Sequence, residues 1–130
     1  MSTFATFFQQ NASSAVDRFV IWAEEAQQLN QNATEFSFGD RANNTRGILL
    51  PEAFTLYAFT FSAVTFTNNS QVEIHILKND IIEATLSFNQ NDEFVDNLNI
   101  PFTPGDRFNF RTGQKSGNIS NVRVSVWFKK

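Results

Sequence analysis

In 130 residues the chain carries one histidine, His75, no cysteine and thirteen carboxylates. One histidine alone makes neither a two-histidine metal set nor a histidine-bearing triad with a sulfur nucleophile. Without cysteine there is no thiolate, disulfide or sulfur-ligated metal. His75 lies mid-strand on the parity of Glu73 and Leu77, which reads as a solvent-facing strand residue. The acidic pairs Asp92 with Glu93 and Glu35 with Asp40 are of the type that serves as acid and base or binds calcium. Their spacing matches no calcium loop, and no nucleophile elbow, phosphate loop or dinucleotide fingerprint occurs. The expectation is a chain that is not an enzyme, with no cofactor and no metal, and that works by binding and assembly.

The remaining polar chemistry is hydrogen bonding. The stretches Asn89 to Asn97 and Gly113 to Asn121, expected to be loops, offer Asn, Gln and Asp side chains that can bond sugar hydroxyls, but only one aromatic ring, Phe94. Ten basic residues are scattered along a chain of net charge −3, which argues against nucleic acid as a ligand because phosphate binding needs a concentrated Lys/Arg face. The apolar runs, such as Phe54 to Val64, are too short and too broken by Thr and Ser to span a bilayer. Nothing in Met1 to Gln10 reads as a secretory leader, so assembly in the cytoplasm is expected. The five Asn-x-Ser/Thr sequons, at Asn11, Asn32, Asn43, Asn68 and Asn118, are then read as a consequence of abundant Asn rather than as glycosylation sites.

The elements that must position these groups divide at about residue 45. Ala12, Val16, Phe19, Ala23, Ala26, Asn30 and Ala33 follow a three-four spacing, with Asn11, Ser13 and Ser14 as candidate caps, which predicts an α-helix over 11–33. That helix either lies on its own β-domain or joins a short bundle between subunits. Phe4, Phe7 and Phe8 precede it on an otherwise polar tail, an arrangement that calls for a docking surface.

From Phe36 onward the period is two. Short strands are expected around Phe36 to Phe38, Gly47 to Leu50, Val72 to Leu77, Ile81 to Phe88, Leu98 to Phe102, Phe108 to Phe110 and Val122 to Phe128. Asn68 with Asn69, Asn79 with Asp80, and Pro104-Gly105-Asp106 supply turns. Phe54 to Phe66 (FTLYAFTFSAVTF) is the longest strand, and both of its parities are apolar. Either both faces are buried or a bulge switches the phase near Ala58. In the last strand Val122, Val124, Val126 and Phe128 share one face, and burying them at roughly 1.5–3 kcal/mol each keeps a terminus from fraying. The terminal strand is therefore expected inside a sheet. Trp127 points the other way, as do Tyr57, Phe59 and Phe61 on one parity of the long strand, and this outward ring set is read as a subunit contact.

The order "RGILLPEAFTLYAFTFSA", "VEIHILKND", "PGDRFNFRT" and "NVRVSVWF" resembles the small trimeric jelly-roll domains of tumour-necrosis-factor and complement type, a group used in phage virions as head decoration (cement) proteins and fibre tips. The resemblance covers about Arg46 to Lys130. It implies a mainly β, antiparallel jelly-roll sandwich at 46–130 with the last strand central; the arm with one α-helix at 1–45, read from the spacing above, is not part of that pattern. It further implies a homotrimer with Tyr57, Phe59, Phe61 and Trp127 at the three-fold interface. On that reading the protein sits in the virion. An arm of Phe4, Phe7, Phe8, Phe19 and Trp22 would clamp the major capsid protein, or the chain would be a fibre tip that binds a host-surface glycan.

Overall fold

A computed structural model describes residues 17–33, 37–38 and 47–130. Among the described residues there are ten strands: β1 Arg18–Gln28, β2 Ser37–Phe38, β3 Ile48–Leu49, β4 Phe54–Phe66, β5 Gln71–Lys78, β6 Ile81–Phe88, β7 Asp92–Val95, β8 Ile100–Phe102, β9 Arg107–Ser116 and β10 Ile119–Lys129. All pairings are antiparallel. They form one sheet in the order β2-β1-β10-β4-β7, with β8 also on β4, and a second in the order β3-β9-β5-β6. β7 and β8 occupy successive lengths of the same edge of β4. The pairs are nested, first strand with last and inward from there: β1 with β10, β3 with β9, β4 with β7 and β8, β5 with β6. That nesting over two packed sheets is a jelly roll.

The helix expected over 11–33 is not formed among the described residues. Residues 18–28 are instead the strand β1, paired with β10 from Arg18↔Lys129 to Gln28↔Ser120. The cause is tertiary. β10 is one of the most apolar strands of the molecule and needs a neighbour on its free side. Phe19, Ile21 and Ala23 alternate correctly to supply inward side chains there, and Ala23 is fully buried. Phe19 stacks on Phe128 with centroids 4.9 Å apart and meets Phe54 edge-on at 4.7 Å. The division at residue 45 is corrected in the same way, since a strand from the expected arm belongs to the sandwich. Phe4, Phe7, Phe8 and the candidate caps lie outside the described residues.

β10 lies between β1 and β4, as its composition required, with Val122, Val124, Val126 and Phe128 at most 2% exposed. In β4 a bulge changes the phase: Trp127 pairs with Ala58 but Phe128 pairs with Leu56, so Tyr57 is the extra residue. Leu56 therefore faces inward, and so do Phe59, Phe61 and Ala63 beyond it. The Phe-rich composition fills the space between sheets. Phe61 stacks on Phe88 at 4.9 Å, Phe59 on Phe88 at 5.8 Å, and Phe128 meets Phe108 edge-on at 5.4 Å. Each such pair adds about 0.5–1.5 kcal/mol to simple burial.

The turns follow their residues. Asn79 and Asp80 both have positive φ, 53° and 67°, as a two-residue hairpin with right-handed strand twist requires. Asp106 ties this hairpin to the turn before β9. Its carboxylate accepts bonds from the Asn79 amide at 2.9 Å and from the Thr103 backbone N–H at 2.8 Å. Gly117, at φ 80°, closes the β9–β10 hairpin against Ser70, and a side chain there would overlap the Ser70 hydroxyl.

Candidate functional site

The outer face of the sheet containing β10 is built in rows by the register of β1, β10, β4 and β7. Arg18 opposes Lys129, with the Tyr57 ring alongside. Val20 opposes Trp127, which opposes Ala58. Trp22, Ser125, Thr60 and Phe94 make the next row. Glu24, Arg123, Ser62 and Asp92 make the last. Trp22 is 48% exposed and Phe94 70%, with Val64 beyond them at 81%.

Two large rings therefore flank a floor of small side chains. The floor is internally satisfied: Thr60 and Ser125 hydroxyls bond each other, and the Trp127 indole N–H donates to Ser125 Oγ at 3.0 Å. Polar atoms that are already paired let a face be covered without a desolvation penalty. The charged row is paired as well. Arg123 Nε donates to Glu24 Oε1 at 3.0 Å, the Arg123 guanidinium lies 5.4 Å from the Trp22 ring centre, and Ser62 donates to Asp92 at 2.6 Å. A groove of about 420 Å³ opens here between Glu24, Ser62, Val64, Asn121 and Arg123.

Trp127 and Tyr57 stand on this outer face, both half-buried. Phe59 and Phe61, expected beside them, are corrected: at 0% and 1% exposure they are core, because the Tyr57 bulge carries them inward. Phe19 and Trp22, assigned to a docking arm, are also corrected. Phe19 packs into the sandwich, and Trp22 is an outer-face residue of β1. The sequence reading missed Trp22, Val20 and Val64 as residues of this face, and gave Phe94 to a loop rather than to β7. The signal for Trp22 and Val20 was the two-residue alternation of β1, hidden beneath an equally good helical spacing.

The other candidates separate. His75 is on the outer side of β5 with Glu73, since Val72, Ile74 and Ile76 take the core side, but it is largely covered there. Its side chain is 14% exposed, it lies against Gly113, where a Cβ would come within 2.5 Å of Nε2, and its Nδ1 has no hydrogen-bond partner. Glu73 Oε1 is 3.7 Å from its Nε2. Asp92 and Glu93 hold structure, the first taking the Ser62 hydroxyl and the second the Asn89 backbone N–H at 3.2 Å. The expected sugar-binding loops are largely strand: β7 occupies the centre of 89–97, and β9 runs through Gly113 to Ser116. Glu35 and Asp40 lie outside the described residues. Among the described residues no group of three or more His, Asp or Glu side chains is placed to hold a metal ion.

No family model matches the chain, and no curated protein does. Among solved structures, the crystal structure of pika GITRL aligns with 82% of this chain and 94% of its own at 16% identity and a TM-score of 0.37. A superposition that loose leaves the fold assignment resting on the strand nesting.

Proposed function

We propose that this chain is a non-enzymatic structural subunit that assembles with copies of itself through the outer face of the β10 sheet, as a homotrimeric virion decoration (cement) protein. The observation that carries the reading is the pair of open rings, Trp22 and Phe94, over a floor whose hydroxyls are already paired. The two rings stand apart across that floor, and large aromatic side chains set among paired polar groups are of the kind enriched at subunit contacts. A second apolar patch, Ile81 at 66% and Ile82 at 44% exposure, sits on the opposite sheet's edge strand β6. Two unlike patches favour a head-to-tail contact, which closes into a ring when the rotation permits.

The virion placement rests on the resemblance of Arg46 to Lys130 to phage jelly-roll proteins. Bridging capsid subunits is work for broad apolar contact and needs no reacting group. The N-terminal segment with Phe4, Phe7 and Phe8 would supply the grip on the major capsid protein. The test is co-sedimentation of the purified chain with undecorated capsids and, separately, with host cells. Capsid binding that is lost on removing residues 1–10 supports the reading. Binding to cells alone would replace it with receptor recognition by a fibre tip.

A further inference from the structure

One end of the same face is charged in an unusual way. Arg18 and Lys129 are directly opposite each other on antiparallel strands, and both are exposed. Each places its charge 5.3 Å from the centre of one ring, that of Tyr57. Like charges in directly opposed positions destabilise a sheet. The nearby carboxylates do not relieve them: Glu52 is paired with Lys130 at 2.6 Å, and among the described residues no ion pair joins Asp17 to either cation. The chain as a whole is acidic, with net charge −3, yet two cations face each other here. The Tyr57 ring offsets part of the repulsion, and places where a local rule is broken are where functional sites are expected.

We propose that Arg18, Lys129 and Tyr57 form a binding site for an oxyanion, a carboxylate or sulfate group, seated between the two cations beside the ring. The guanidinium offers paired N–H donors to two oxygens and the ammonium a third contact. Both charges lie 5.3 Å from the ring centre, a distance at which the ring attracts them and draws them toward one spot. The site lies at the end of the sheet, where β1 begins and β10 ends, so it does not depend on the assembly reading.

The test is isothermal titration with sodium sulfate, sodium glucuronate and neutral glucose at constant ionic strength, followed in parallel by backbone amide NMR. It is run on the full chain and on a Trp22→Ala version, so that failed assembly and failed anion binding are told apart. Sulfate and glucuronate should bind and glucose should not, with shifts centred on Arg18, Tyr57 and Lys129. Tighter glucuronate assigns the anion to an acidic sugar, and tighter sulfate to a free inorganic ion. Arg18→Gln and Lys129→Gln should each weaken binding about tenfold and together abolish it, while Lys115→Gln changes nothing. The amide spectrum verifies that each variant is folded. Equal binding of glucose, no binding of either anion, or undiminished binding in the folded double variant would overturn the proposal.

Discussion

Replacing Trp22 with alanine separates the two roles a tryptophan on this sheet can have. About half of it, 48%, is open to water in the single chain. A tryptophan side chain offers on the order of 200–250 Å², so roughly 100–120 Å² remains to be covered by a neighbour. At about 25 cal/mol per Å² that is close to 3 kcal/mol for each contact it makes between copies, or about a hundredfold in dissociation constant. Among the described residues the Arg123 guanidinium lies 5.4 Å from the ring centre and Ser125 stands opposite on β10, so folding stability should fall by no more than about 1 kcal/mol. Sedimentation velocity across a dilution series reads the first quantity and urea unfolding of dilute protein the second. If the variant associates as tightly as the parent, or unfolds with a loss of several kcal/mol, the ring belongs to the fold and not to an interface.

The remaining predictions probe the scaffold. Phe61→Ala removes a fully buried ring stacked on Phe88 and should cost about 3–5 kcal/mol in urea unfolding, with any loss of association following from unfolding. A cost below about 1 kcal/mol would mean that the bulge at Tyr57 does not set the phase. Asp106 is held below the usual carboxylate range first by the Thr103 backbone N–H and then by the Asn79 amide. Its folded pKa is depressed, so its contribution is present above the unfolded value near 3.9 and fades as pH falls through the folded one. Thermal melts of the parent and Asp106→Asn should therefore differ at pH 6 and converge on acidification below about pH 4, and a constant gap would refute the linkage. Gly117→Ala places a methyl group against Ser70 at a positive φ and should lower stability by more than about 1 kcal/mol, whereas Gly105→Ala, with open space around it, should cost less.

The strand half of the molecule was legible because its signals are local. Asn79-Asp80 accepts the left-handed turn its hairpin needs, and Val122, Val124, Val126 and Phe128 alternate without interruption over a central strand. Two features were hidden. In 18–28, Phe19, Val20, Ile21 and Trp22 form a continuous apolar run that satisfies a helical stripe and a two-sided strand equally, and Glu24 to Gln28 are good helix formers. Only the open side of β10, an element a hundred residues away, decides between them. In β4 one extra residue inverts every side chain on one side of it. A bulge near Ala58 was one of the two readings that the apolar parities allowed, and the structure has it at Tyr57; grouping Tyr57, Phe59 and Phe61 on one outward parity left it unapplied and put Phe59 and Phe61 outside. The outer-face rows were illegible for the same reason, since they exist only once the registers of four strands are fixed.

The central claim is that the Trp22, Trp127 and Phe94 face is covered by sister copies. Native mass spectrometry of the purified chain at micromolar concentration addresses it without a variant. The account predicts a dominant species of three chains that dissociates without passing through a stable pair, as a head-to-tail ring should. A single chain that persists as the concentration is raised would contradict it.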